Sequence, residues 1–176
     1  MNSLKAVFFI IPFIFFLSVP AAHAETAGAP PSPREVLEKE LPDFVQVGEN
    51  VYRGSQPGEE DLKQLKELGV RTLVNFRHEK KWIEWERAKA AGFGFEYVSL
   101  PWKIYIHPDK SVMEKFLQTV QQKEKGPVFF HCKRGIERTG VADAVYRYYF
   151  HKLPEEEAFQ KAMTGHHRLF YYRPFL

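Results

Sequence analysis

Six residues near the three-quarter point of the chain, PVFFHC (Pro127 to Cys132), restrict the fold most. They read as a short apolar strand of the kind buried inside a parallel sheet. Such a strand needs cover on both faces, and the flanking sequence offers helices. Ser111 to Gln122 places Val112, Phe116, Leu117 and Val120 on one helical face, and Thr139 to Phe150 does the same with Val141, Ala144, Val145 and Tyr148.

The pattern extends along the chain. FVQV (Phe44 to Val47) and VYR (Val51 to Arg53) are predicted strands around a turn at GEN. Glu59 to Leu68 repeats leucine at 62, 65 and 68 and is predicted helical, with Gly69 as its stop. VRTLVNF (Val70 to Phe76) reads as a strand, Trp82 to Ala91 as a helix, FEYVSL (Phe95 to Leu100) as a strand closed by Pro101, and Glu155 to Met163 as a last helix. Strands alternating with helices predict an α/β domain with a central, largely parallel sheet flanked by helices.

Residues 1–24 stand apart. MNSLKAVFFIIPFIFFLSVPAAHA holds one charge, Lys5, then an apolar run from Ala6 to Val19 and small residues ending Ala22-His23-Ala24. This is the three-part pattern of a secretory signal peptide cut after Ala24, too short and too interrupted by Pro12 for a stable membrane anchor. Export to a periplasm or the exterior is therefore expected, with a flexible mature N-terminus over residues 25–43. Ser32-Pro33-Arg34-Glu35 fits a capping box that starts a short helix to about Glu40. Residues 44–176 make the main domain.

The 25 basic and 22 acidic side chains nearly cancel, which excludes bulk nucleic-acid binding through a broad basic face. Functional positive charge must be local. The single cysteine, Cys132, is unusual for an exported chain, where thiols pair, and an unpaired one points to a reactive group.

Its surroundings sharpen that reading. The predicted buried strand ends at His131, the loop Lys133-Arg134-Gly135-Ile136-Glu137 follows, and Arg138-Thr139 opens a helix. A strand-to-helix loop aims several backbone N–H groups, and the positive end of the helix dipole, at one point. That cradle binds a tetrahedral anion and stabilises a thiolate. Arg138 can fork two N–H groups onto phosphate oxygens, Gly135 permits the turn, and Thr139 is placed to bond the sulfur or assist a later hydrolysis.

His131-Cys132-x-x-Gly135-x-x-Arg138-Thr139-Gly140 resembles the HCxxGxxR(S/T)G signature of the cysteine-dependent protein phosphatase superfamily. VYRGSQP, LGVRTLVNFR and FEYVSLP resemble its small dual-specificity branch, including bacterial members and the atypical plant and fungal group. The resemblance spans about Asn50 to Met163. It implies attack by Cys132 on phosphorus, a phosphocysteine intermediate, and its hydrolysis. Arg138 and the backbone amides of Lys133 to Arg138 would stabilise the transferring group, so Lys133, Arg134, Gly135, Ile136, Glu137 and Thr139 line the expected substrate site. No metal or other cofactor is expected. The adjacent pair His166 and His167 is weak as a metal motif.

The family normally draws a general acid from an aspartate roughly thirty residues before the cysteine, and this chain departs from that pattern. SLPWKIYIHPDK offers only Asp109, which reads equally as an N-cap for the next helix. Glu137 is a second candidate, with an ordinary ion pair as its other reading. A third reading dispenses with an acid for good leaving groups.

Lys133 and Arg134, joined by Lys103, His107 and Lys110 if their loop faces the site, raise the local positive potential. Phosphoinositides or inositol phosphates are thereby favoured over phosphotyrosine. KRG resembles the plant and fungal group that acts on inositol pyrophosphates, although that group carries another base where Glu137 stands. Arg53, Gln56 and Arg77 recur in the branch and are expected to brace the site or seal strand ends, with His131 orienting the loop. Trp82, Trp85 and the tail FYYRPFL read as core and cover. The competing functions are protein phosphotyrosine hydrolysis, a non-catalytic pseudophosphatase that binds phospho-ligands, and thiol redox work, for which the second cysteine is missing.

Overall fold

The computed structural model describes residues 30–104 and 106–163. The leader, the C-terminal aromatic tail and the His166-His167 pair lie outside the described residues. Among the described residues no helix is long and apolar enough to cross a membrane.

The expected capping box opens α1 (Pro33–Glu40): the Ser32 side chain accepts from the Glu35 backbone, and the Glu35 carboxylate accepts from Ser32 N at 2.7 Å. Leu37 and Leu41 then enter the core. β1 (Val45–Gly48) and β2 (Val51–Gly54) form an antiparallel pair. Beyond them helices and strands alternate: α2 (Glu59–Glu67), β3 (Thr72–Asn75), α3 (Lys80–Phe93), β4 (Glu96–Ser99), α4 (Lys110–Gln121), β5 (Val128–His131), α5 (Glu137–Phe150) and α6 (Glu155–Ala162).

The five-stranded sheet runs β1-β2-β5-β3-β4, and every pairing except β1 with β2 is parallel. β5, the strand the sequence marks as buried, lies at its centre. Successive residues along β3 and β5 point to opposite faces, as the period of two requires. Val74 and Phe130 join Phe76, Trp102, Phe116, Val141 and Val145 in one core. Leu73 and Phe129 join Leu37, Leu62, Leu65 and Ala90 in the other. The helices therefore cover both faces, with α4, α5 and α6 on one and α1, α2 and α3 on the other.

β3, β4 and β5 are shorter than predicted, while β1 is shifted by one residue and β2 gains Gly54. Val70 and Arg71 precede β3 because the backbone N–H groups of Arg71 and Thr72 both turn to the carbonyl of Pro127, which leaves Val70 as a core residue rather than a ladder residue. Phe44 likewise lies outside β1 and stacks on Tyr52 and Phe129. α3 runs beyond both predicted ends and stops at Gly94, whose φ of 71° supplies the left-handed cap. α5 begins at Glu137, earlier than predicted, so part of the Cys132 loop is the first turn of a helix.

The register carries the functional consequence. Gly54 pairs with His131, His131 with Asn75, and Asn75 with Ser99, so the carboxyl ends of the parallel strands end in one row. Open α/β sheets bind ligands along such a row, where the strand order reverses.

Candidate active site

The loop leaving β5 is held from three sides. Gly135 has a φ of 75°, and a Cβ there would lie 2.7 Å from the carbonyl carbon of Gly54. Only glycine lets the loop lie this close to the end of β2. Gln56 N donates to Lys133 O at 3.2 Å, tying the segment after β2 to the same loop.

Arg53 completes the brace. It is 5% exposed; its Nη2 donates to Gly135 O at 3.0 Å, and its Nη1 to Ala162 O and to Asp143 Oδ2, both at 2.7 Å. Asp143 also receives Arg147 Nε at 2.8 Å. One guanidinium thus joins β2, the loop, α5 and α6, the bracing task expected of it.

Within the loop, Cys132 is buried at the N-terminal end of α5. Burial pushes its thiol up, but the Thr139 hydroxyl, the Thr139 backbone N–H, the Arg138 charge and the Arg134 backbone N–H outweigh it and leave the thiol below its ordinary value. Thr139 Oγ1 is buried without a hydrogen-bond partner, so its hydroxyl is uncommitted beside the sulfur. Ile136, the N-cap of α5, makes no side-chain cap, so the first N–H groups of the helix face the loop uncapped by a side chain.

Arg138 is held through one of its terminal nitrogens. Its Nη1 donates to Phe76 O at 3.0 Å and Trp102 O at 3.1 Å, and lies 3.2 Å from His78 Nδ1. Two carbonyls and the His78 ring hold this one nitrogen, and Nε remains a buried donor without a partner.

Glu137 is 5% exposed and paired with Arg134, whose own side chain is half in solvent. The expected ion pair is there, but its acidic end is buried. Arg134 is therefore largely countered, and Lys133 remains an exposed cation of the loop. Asp109 holds the N-cap position of α4, exposed and without a side-chain cap bond. No hydrogen bond joins its carboxylate to the Cys132 loop. Lys103 and His107 are exposed, and Lys110 pairs with Glu114 at 3.4 Å.

Three residues of the β3–α3 connection were not singled out as site residues in the sequence, or only as braces. Arg77 is buried and donates to Gln56 Oε1 at 3.4 Å and to both oxygens of Glu79, with Trp82 stacked on its guanidinium at 4.9 Å. Trp82 is 38% exposed, so it covers Arg77 rather than filling the core. Burial works against the Glu79 charge, yet Arg77 and Arg138 hold its carboxyl down to about 2. Glu79 is thus ionised at neutral pH and is not a proton donor there. His78 touches Arg138 directly. No sequence signal singled it out, because its role depends on β3 ending beside β5.

The geometry is that of a buried thiol, held below its ordinary value, in a strand-to-helix loop at the strand ends. A family model described as "DSP-PTPase phosphatase fused to NAD+ kinase" matches residues 39–169. The chain belongs to that family. This phosphatase is 29% identical over 153 residues to the dual specificity protein phosphatase TpbA of Pseudomonas aeruginosa strain UCBPP-PA14, over 86% of this chain and 67% of TpbA. The crystal structure of a P. aeruginosa TpbA cysteine-to-serine variant in complex with pTyr matches with a TM-score of 0.59 at 25% identity, over 68% of this chain and 71% of that one. The core catalytic domain of the PP-IP phosphatase SIW14 from S. cerevisiae shares the fold, with a TM-score of 0.64 at 17% identity over 77% of this chain and 86% of that one. The protein is a phosphatase of the dual-specificity type, with the α/β phosphatase fold.

Proposed function

We propose that the phosphatase hydrolyses phosphate monoesters through a phosphocysteine at Cys132. The observation that carries this reading is the pairing of a buried thiol, held below its ordinary value, with an Arg138 whose Nε is buried without a partner. Cys132 Sγ attacks phosphorus in line, the S–P bond forms and the bond to the leaving oxygen breaks. Arg138 and the backbone N–H groups from Lys133 to Arg138 take up the charge spread over the phosphoryl oxygens. Water then attacks the phosphocysteine, inorganic phosphate departs, and the Thr139 hydroxyl receives the returning thiolate.

Asp109 is the donor we assign to the leaving oxygen, and its carboxylate takes the proton back from the attacking water. Glu137 is committed to Arg134, and Glu79 is ionised. Asp109 lies on the segment that includes Trp102, whose carbonyl already touches Arg138.

The substrate class we favour is a multiply phosphorylated small molecule, an inositol phosphate or phosphoinositide, on the exposed charge of Lys133 in the loop and of Lys103, the residue after Trp102 whose carbonyl meets Arg138. A second reading, phosphotyrosine hydrolysis, is favoured by the pTyr bound to the related TpbA variant. We further propose that residues 1–24 direct export and that the mature chain starts at Glu25.

Phosphate release from inositol hexakisphosphate, a phosphoinositide, a phosphotyrosine peptide and an aryl phosphate, with Cys132→Ser beside each, tests these readings. Release lost in Cys132→Ser supports the nucleophile, and turnover retained in that variant defeats it. Preference for the peptide replaces the inositol reading with the tyrosine one. Silence on every substrate with vanadate still bound makes the protein a phospho-ligand binder.

A further inference from the structure

The chain leaving β3 starts beside the Cys132 loop, where Phe76 N donates to His131 O at 2.9 Å. The next residues are held one by one. Arg77 is buried; its backbone N–H donates to Asn75 Oδ1 at 2.6 Å, and its Nη1 to Gln56 Oε1 at 3.4 Å. Gln56 Nε2 donates in turn at 3.0 Å to Glu86, a carboxyl buried on α3 that also meets Asn75, Tyr97 and His131. Arg77 clamps both oxygens of Glu79, and Glu79 Oε2 accepts from the backbone N–H of His78 at 3.2 Å. His78 is therefore fixed through its backbone by an anchored ion pair, while its side chain stays exposed.

That exposed ring meets the guanidinium of the thiol loop. His78 Nδ1 lies 3.2 Å from Arg138 Nη1, whose other two partners are main-chain carbonyls. A guanidinium donates and never accepts, so Nδ1 is the acceptor and the ring hydrogen lies on Nε2. Glu79 Oε2, at 3.6 Å from Nδ1, is too far to claim a hydrogen there. An imidazolium would carry a hydrogen at Nε2 as well, so Nε2 is a donor in either state. Among the described residues no hydrogen bond engages it.

Two unused donors thus lie close together: Arg138 Nε inside the site and His78 Nε2 on the exposed ring that touches Arg138. We propose that His78 is a specificity-determining residue, whose Nε2–H takes an oxygen of a second substrate phosphate beside the one held at Arg138. This rests on the reading of the substrate as a multiply phosphorylated small molecule. A substrate with one phosphate leaves the His78 donor to water, so the contact separates the two classes. The carboxylate nearest the ring, Glu79, is countered at both oxygens by Arg77 and does not repel the second anion as a free carboxylate would. A free inositol phosphate and a phosphoinositide head group both carry such a phosphate.

Calorimetric titration of the full chain carrying Cys132→Ser reads binding without requiring turnover. The probes are inositol hexakisphosphate, a short-chain phosphatidylinositol bisphosphate and inorganic phosphate. Asparagine at 78 places an acceptor where Nδ1 stands and nothing at Nε2, whereas the longer glutamine brings an amide NH2 toward Nε2. In His78→Asn the ratio of polyphosphate to phosphate affinity is expected to fall about tenfold, the worth of one hydrogen bond to a charged group. His78→Gln should restore most of it. A side chain that only propped Arg138 would weaken phosphate and polyphosphate alike and leave the ratio unmoved. An unmoved ratio in His78→Asn therefore overturns the proposal, as does a His78→Gln no better than His78→Asn. A fall for the hexakisphosphate alone identifies a free inositol phosphate as the ligand, a fall for the lipid alone a head group, and either supports the proposal. Failure of the substrate reading shows separately: with His78 intact, polyphosphate then binds no more tightly than phosphate, and the proposal falls with it.

Discussion

Arg53 Nη2 donates to the carbonyl oxygen of Gly135, and the same side chain pairs with Asp143 on α5. A residue on β2 thereby sets the path of a loop far away in sequence. Both partners of the Arg53–Asp143 pair are buried, so removing one strands the other. Arg53→Met is expected to lower unfolding stability by about 3–5 kcal/mol, moderated by Arg147, which still pairs with Asp143. Urea denaturation checks this, and an unchanged midpoint would refute the bracing role.

Gly135 has no room for a methyl group. Gly135→Ala combines a left-handed φ with a contact against the Gly54 backbone, and overpacking of this kind costs about 1–3 kcal/mol. The loop relieves it by moving away from β2, which disperses the amides of the cradle. We expect a retained far-UV circular dichroism spectrum with kcat/KM at least tenfold lower. Wild-type kcat/KM in this variant would mean that the loop does not need its observed path.

Arg138→Lys keeps the charge but loses the plane. A lysine ammonium cannot satisfy Phe76 O and Trp102 O while presenting a second donor edge to phosphate. Loss of such a donor typically costs about 10²–10³ in kcat. Steady-state kinetics together with vanadate affinity should both show it, and a change in KM alone would contradict it.

Glu79 makes stability depend on acid. Its folded-state carboxyl is held down to about 2, below its ordinary value of 4.5, so its contribution is fully present above that ordinary value. It is lost as pH falls from 4.5 toward 2. Glu79→Gln should therefore melt below wild type at pH 7, and the gap should close across that window. A gap that stays constant on acidification would show that the ion pair with Arg77 is not its origin.

Peroxide provides an independent test of the thiol. A thiolate oxidises before a thiol, and this chain has no second cysteine to trap the sulfenic acid as an intramolecular disulfide. Low peroxide should inactivate the enzyme reversibly with added thiol, and excess should do so permanently. Full activity after peroxide without reductant would argue against a depressed thiol.

Much of this molecule is written in local sequence. The capping box at Ser32, the alternation of strands and helices, the burial of β5 and the strand–loop–helix around Cys132 all follow from neighbours within a few residues. Those interactions act through backbone propensity and side-chain period, which a linear reading contains. The spacing from Cys132 to Arg138 belongs here too, since one loop and one helical turn bring both to the same point.

The rest depends on which strands lie side by side. Glu86 interrupts the apolar stripe that Trp82 and Ala90 would otherwise continue on α3, and that interruption is its only linear trace. Its partners come from the ends of β2, β3, β4 and β5, and they converge only because the parallel register aligns Gly54, His131, Asn75 and Ser99. The same convergence brought His78 against Arg138, whereas the Arg134–Glu137 pair is local, three residues apart, and only the burial of Glu137 depends on packing. The sequence by itself determined the fold class and the residues of the thiol loop. The tertiary structure alone decided which charges are countered and which face the site, because Coulomb and hydrogen-bond energies are set by distances that only the packed sheet establishes.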